Sequence, residues 1–183
     1  EPSRRQRQMC IRDRYNYLGG KINKKIYTDY TVSLNDVDKM VEQAEQIVKK
    51  GFKIIKVKLG DNGKKDIERI KHIRKCIGDD KQIRIDANQG WNIEEAIDTL
   101  KNIDKYNIEY CEEPINRDLS FRLNEVKESS PIKIMADESL FTSYDAEMMV
   151  HGNHCDMFNL KIGKHGGLFE TKKIVSIAEE NNI

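Results

Sequence analysis

Five mostly apolar runs in this chain end on residues that can do chemistry. They are Ile54-Ile55-Lys56-Val57-Lys58, Ile83-Arg84-Ile85-Asp86, Glu109-Tyr110-Cys111-Glu112, Ile132-Lys133-Ile134-Met135-Ala136-Asp137 and Phe158-Asn159-Leu160-Lys161. Acids end the middle three, and lysine ends the outer two. Successive runs are roughly 25 residues apart, about one βα unit. Parallel strands of a βα barrel share one direction, so all five ends converge on one mouth. Carboxylates crowded together repel one another and need a cation. An oxygen-only donor set suits Mg2+, which keeps positions open for water or substrate. No His or Cys ends a corresponding run. His72 falls on a helix, His151 and His154 in a loop, and His165 just past a strand. All four read as surface or structural residues.

Strand alternation sends Lys56 and Lys58 to one side, and likewise Asp86 and Asn88. Polar groups facing inward at a strand end are costly unless they have a task. One task fits. Removing a proton next to a carboxylate leaves two negative charges on one carboxyl group, and a metal ion stabilises that enediolate electrostatically. A lysine accepts the proton only after losing its own, and a neighbouring cation lowers its pKa by repulsion. Lys56 is placed to act so on Lys58. Lys161 lies two units beyond Glu112, across a closed barrel from Lys58. Bases on opposite faces of one carbon invert it, one removing the proton and the other returning it. The plainer alternative leaves both Lys56 and Lys58 solvated at a barrel rim.

Positioning these groups requires alternating elements. An extended run over 28–33 precedes a helix from about Asn35 to Lys50, with Gly51 at its C-cap. Strands are expected over 52–59, 83–88, 108–112, 132–137 and 156–162. Helices are expected over 65–77, 93–106, 118–127, 143–150 and 167–180, the last with Phe169, Ile174, Ile177 and Ala178 as core positions. Strict alternation implies a parallel sheet with helices on its faces. A barrel and an open doubly wound sheet both satisfy that. The absence of a glycine-rich phosphate fingerprint after the first strand favours the barrel.

At 183 residues the chain holds one ordinary domain, short of the about 250 residues of a complete (β/α)8 barrel. The expectation is an α/β fold, a partial TIM-type barrel of about six βα units. Its formal net charge of +1 gives no footprint for nucleic acid or an anionic membrane. No apolar run approaches the roughly 20 residues that span a bilayer. Cys10, Cys76, Cys111 and Cys155 lack CxxC spacing and read as reduced, mostly buried residues of a cytoplasmic protein. Residues 1–14 form a basic head without hydrophobic period. They are expected to be poorly ordered and lie outside the fold reasoning.

Lys56-Val57-Lys58, Asp86-Ala87-Asn88-Gln89-Gly90-Trp91, Glu112-Glu113-Pro114, Ala136-Asp137-Glu138-Ser139 and Asn159-Leu160-Lys161, in that order, resemble the muconate-lactonizing subgroup of the enolase superfamily. Within it, Thr28-Asp29-Tyr30-Thr31-Val32-Ser33 looks most like dipeptide epimerases acting on L-Ala-D/L-Glu. The resemblance implies Asp86, Glu112 and Asp137 as Mg2+ ligands, Lys58 and Lys161 as acid/base catalysts, Lys56 tuning Lys58, and Thr31 touching a small dipeptide substrate. Glu113, Glu138 and Lys164 are not promoted to the site. It also implies that an N-terminal capping domain and the seventh and eighth barrel strands are missing. Residues 15–27 would be a remnant of the capping-domain linker and 28–183 an incomplete barrel. Marginal stability and little or no turnover are expected of such a chain alone. A homo-oligomer stays open. So do muconate cycloisomerase, o-succinylbenzoate synthase and N-acylamino-acid racemase activities, a Schiff-base lyase using Lys58 or Lys161, and a catalytically silent scaffold.

Overall fold

The computed structural model of the chain describes Asn16, Gly19, Gly20 and residues 26–183. The basic head over 1–14 lies outside the described residues, as does most of the expected linker over 15–27. The described chain alternates as expected: β1 (Tyr30–Val32), α1 (Val37–Lys49), β2 (Ile54–Lys58), α2 (Gly63–Ile77), β3 (Gln82–Asp86), α3 (Ile93–Ile103), β4 (Ile108–Glu112), α4 (Leu123–Ser129), β5 (Lys133–Ala136), α5 (Ser143–His151), β6 (Met157–Phe158) and α6 (Leu168–Asn181).

Strand order decides between the two candidate architectures. The six-stranded sheet runs β1-β2-β3-β4-β5-β6, and every neighbouring pair is parallel. A doubly wound sheet reverses its order at a switch point. A sheet that never reverses, joined by right-handed crossovers, keeps all its helices on one face. That is the winding of a barrel wall.

The two faces of the sheet have opposite chemistry because side chains alternate. Ile55, Val57, Ile83, Ile85, Cys111, Ile134 and Ala136 are fully buried. They join Met40 and Ala44 of α1, Ile70 and Ile73 of α2, and Ala96 and Leu100 of α3 in one core between sheet and helices. The other face carries the intervening residues, Lys56, Lys58, Arg84, Asp86 and Glu112. Arg84 pairs there with Glu109 and Asp29 at 2.6 and 2.9 Å.

Several boundaries differ from the sequence reading. Asn62 caps α2 by accepting from the Lys65 backbone N–H, so the helix starts two residues early. The third helix ends at Ile103 and closes with a 3-10 turn over Asp104–Tyr106, where Asn107 turns left-handed at φ 52°. The expected helix over 118–127 divides into a 3-10 segment, Arg117–Arg122, followed by α4. The strand expected over 156–162 shrinks to Met157–Phe158, because β6 is a sheet edge with a ladder partner on one side alone. Phe169 is a correction of another kind. It is 69% exposed instead of buried, while Ile174 fills the core position.

The last two helices are tied by a charged hydrogen bond that gives a pH-dependent expectation. Glu170 Oε1 accepts from the backbone N–H and the hydroxyl of Ser143 at 2.8 and 2.6 Å, and Lys173 pairs with its other oxygen at 3.0 Å. The Ser143 donors, aided by Lys173, lower the Glu170 carboxyl from 4.5 to about 2. A lowered acid contributes stability above its unfolded value and loses it as pH falls through the folded one. Glu170→Gln is therefore expected to lower the urea midpoint at pH 7, and the deficit should shrink between pH 4.5 and pH 2. Deficits equal at pH 7 and pH 2.5 would contradict this.

Candidate active site

Three rungs of the inner sheet face carry the central groups. Lys58 is paired in register with Asp86, and Asp86 with Glu112. Asp137 follows β5 by one residue, two beyond Met135, which is the register partner of Glu112. Lys161 lies past the end of β6, on the chain that leaves it. The structure thus brings all five charged strand-end residues into one row, Lys58, Asp86, Glu112, Asp137 and Lys161. Thr31 is the register partner of Lys56 and so belongs to the same face.

The carboxylates are deeply buried: Asp86 and Asp137 are 1% exposed and Glu112 is 0%. Lys56 Nζ bridges two of them, at 2.8 Å from Asp86 Oδ2 and in contact with Glu112 Oε2. Lys58 Nζ shares Asp86 Oδ2 at 2.7 Å and touches Asn88 Oδ1 at 2.5 Å. Lys161 Nζ pairs with Asp137 Oδ2. Burial works against the Lys56 charge, but its bonds to Asp86 and Glu112 outweigh that and hold the ammonium above the ordinary lysine value. Burial likewise opposes the Lys161 charge, and the bond to Asp137 reverses the outcome. Burial, the adjoining Asp137 carboxyl and the Asp86 charge push Glu112 up. Asp137 is pulled down against its burial by bonds to Glu112, Lys161 and Lys164.

Among the described residues, no three His, Cys, Asp or Glu side chains form a cation cage in this arrangement. Three oxygen donors do converge, with lysine ammoniums supplying the positive charge between them. The donor set of Asp86, Glu112 and Asp137 is oxygen throughout. These residues fit a hard divalent cation.

Two loops fix the row. Gly60 follows β2 at φ +98°, and a Cβ there would lie 2.0 Å from the Ala87 carbonyl oxygen. Gly90 is equally confined, with a Cβ 2.0 Å from the Gly60 oxygen. Glycine is required where backbones approach so closely. Asp66, fully buried, accepts from Gly60 N–H at 3.0 Å and Trp91 Nε1 at 2.9 Å, and from Arg69 at 2.7 Å. It joins the loops that follow β2 and β3. Asn88 was expected to share the β3 pleat with Asp86, but it leaves the strand at φ 44°. It still converges on Lys58, through the turn and not the pleat.

Some partners were not promoted from sequence. Glu113 turns away from the row at φ 39°, and its Oε2 accepts from the Asp137 and Ser139 N–H groups at 2.6 and 3.2 Å. Glu138 accepts from Asn88 Nδ2 at 2.9 Å. Lys164 and Asn159 contact the carboxylates directly. Asn159 Nδ2 donates to Glu112 Oε1 at 2.8 Å, and Lys164 Nζ to Asp137 Oδ1 at 2.6 Å. Asn159 sits two residues before Lys161 in the same run, and that spacing was the available signal. Lys164 stood out in the sequence only as a neighbouring charge, with no spacing that tied it to Asp137. His165 is buried with Nδ1 2.9 Å from the Phe141 carbonyl, in keeping with a structural residue. Cys111 and Cys155 are buried, while Cys76 is exposed.

Sequential parallel βα units with charged residues gathered at the carboxyl ends of the strands define an incomplete TIM-type α/β barrel with a charged mouth. The chain belongs to the family described as Enolase C-terminal domain-like, which matches residues 39–183. It is 48% identical over 166 residues to D-Ala-D/L-Ala epimerase of Cytophaga hutchinsonii, covering 91% of this chain and 45% of that protein. It is 41% identical to L-Ala-D/L-Glu epimerase of Clostridium acetobutylicum, covering 90% of this chain and 46% of the relative. The dipeptide epimerase of C. hutchinsonii, solved with Mg and D-Ala-L-Val, superposes with TM-score 0.89 over 91% of this chain and 45% of that one. The dipeptide epimerase of Enterococcus faecalis, solved with Mg and L-Leu-L-Tyr, is 35% identical with TM-score 0.89, covering 96% of this chain and 50% of that one. The chain spans about half the length of the relatives it matches.

Proposed function

We propose that a full-length protein built around these residues is a Mg2+-dependent dipeptide epimerase, of the L-Ala-D/L-Glu type, working by 1,1-proton transfer between two lysines. The observation that carries the reading is the row itself: three buried carboxylates on adjacent strands with Lys58 at one end and Lys161 at the other. The likeness to dipeptide epimerases supports the substrate class, a small molecule. Residues 28–183 would supply the barrel part of the site, and the rest of the length of the relatives its cover and closing strands.

Asp86, Glu112 and Asp137 would hold the cation. Mg2+, when bound, supplies positive charge that stabilises the second negative charge developing on a substrate carboxylate as the adjacent proton leaves. The remaining work belongs to the chain. Lys58 and Lys161 exchange the α-proton from opposite faces of the substrate carbon. Lys58 meets Asp86 Oδ2 and Lys161 meets Asp137 Oδ2, which sets one ammonium at each end of the row. Lys56 adds a second positive charge beside Lys58, both ammoniums lying on Asp86 Oδ2. Thr31, on the same face, is the proposed substrate contact.

Proton NMR of L-Ala-L-Glu in D2O with the full-length protein tests this directly. Loss of the glutamyl α-proton signal is expected with Mg2+ and none after chelation. Borohydride trapping of a substrate carbonyl, combined with exchange that persists in chelator, would favour a Schiff-base lyase and sink the proposal.

A further inference from the structure

We infer that Asn159 and Lys164 are positioning residues: each fixes one oxygen of a site carboxylate and leaves the other directed at the reacting groups. The inference rests on the reading of Asp86, Glu112 and Asp137 as Mg2+ ligands.

Each of the three carboxylates has one oxygen held by a hydrogen-bond donor beside the row. Asp86 Oδ1 accepts the backbone N–H of Asn88 at 3.0 Å, and its Oδ2 faces Lys56 and Lys58. Glu112 Oε1 accepts from Asn159 Nδ2 at 2.8 Å and lies 4.0 Å from Lys161 Nζ, and its Oε2 faces Lys56. Asp137 Oδ1 accepts from Lys164 Nζ at 2.6 Å, and its Oδ2 faces Lys161. One oxygen of each acid is anchored, and the other makes the shorter contact with a lysine proposed to take part in the reaction.

Lys164 is built as a brace. An ammonium has three protons to donate. Those of Lys164 go to Asp137 Oδ1 at 2.6 Å, the Asp137 carbonyl at 2.6 Å and the Asn159 carbonyl at 3.1 Å. Its side chain is 11% exposed, against 53% for Lys161. It has no free proton to offer a substrate, and the mouth does not expose it. The backbone explains how it gets there. Lys164 N–H and His165 N–H both bond to the Lys161 carbonyl, at 2.8 and 3.1 Å, and Gly167 N–H to that of Ile162 at 2.9 Å. That turn folds the chain back so that Lys164 lies over Asp137. His165, against the Phe141 carbonyl, pins the turn to the loop after β5. Through the Asn159 carbonyl the brace spans both anchored acids, Glu112 and Asp137.

Outer partners of metal-binding side chains set ligand orientation and hence affinity. The test is calorimetric titration of the metal-stripped full-length protein with MgCl2. Lys164→Met and Asn159→Leu are each expected to weaken Mg2+ binding about 10- to 100-fold. Ile174→Ala, a change in the apolar core between sheet and helices, should lower the thermal midpoint yet leave Mg2+ affinity within about twofold of the parent. Should Lys164→Met fail to fold, Lys164→Gln, which keeps an amide donor, carries the same measurement. Folded variants at both positions that bind Mg2+ as the parent does would overturn the inference. So would losses of affinity that Ile174→Ala reproduces. A parent protein that binds no Mg2+ brings down the functional reading instead, and shows it before any variant is made.

Discussion

Lys161→Ala in the full-length protein is expected to lose α-proton exchange from one diastereomer of its dipeptide while keeping it from the other. Lys58→Ala should show the converse, and neither variant should epimerise. The two ammoniums sit at opposite ends of the carboxylate row, Lys58 on Asp86 and Lys161 on Asp137. A carbon held between them presents one face to each. Positioned acid/base groups contribute roughly 10²–10⁴-fold, so the affected exchange should fall by about that factor. The measurement is the rate of deuterium incorporation into each pure diastereomer. Epimerisation by either variant at the parent rate would end the two-base assignment. The asymmetry is the informative part, since damage to the site as a whole would slow both directions alike.

Lys56→Met is expected to destabilise the metal-free protein by about 3 kcal/mol, the range for leaving a buried charge without its partner. Among the described residues Lys56 is the cation that contacts both Asp86 and Glu112, and those carboxylates are 1% and 0% exposed. Removing it leaves Glu112 without that ammonium and Asp86 with Lys58 alone. Because the Lys56 ammonium is held above its ordinary value of 10.5, its contribution is fully present below that pH and is lost only as pH rises beyond it. Urea unfolding in chelator at pH 8 is the test. A deficit under about 1 kcal/mol would mean that water or Lys58 already neutralises the pair. Added Mg2+ should narrow the deficit, since a ligand of the folded state restores stability by mass action.

The sequence showed the βα rhythm because each unit writes two periods at once. In β2, Ile55 and Val57 alternate with Lys56 and Lys58; in α1, Met40, Ala44 and Ile47 recur at helical spacing and are buried. The charged strand ends were legible for the same reason: a polar residue closing an apolar run stands out. Element ends were less so, because they depend on partners elsewhere. Asn88 leaves β3 early through a left-handed turn, and β6 shortens because it has one neighbour. Phe169 misled because its size suited a core position that α6 instead turns outward.

Residue order alone determined six parallel-type units and which side chains stand at their carboxyl ends, since strand and helix periods are local properties of the chain. It left open whether the sheet was wound singly or doubly, and the observed order from β1 to β6 decided that. Only the tertiary structure decided how the charges pair. Which oxygen of Glu112 faces Asn159 and which faces Lys56, and that Lys164 rather than solvent anchors Asp137, follow from loops distant in sequence meeting at one mouth. No period along the chain records such a meeting.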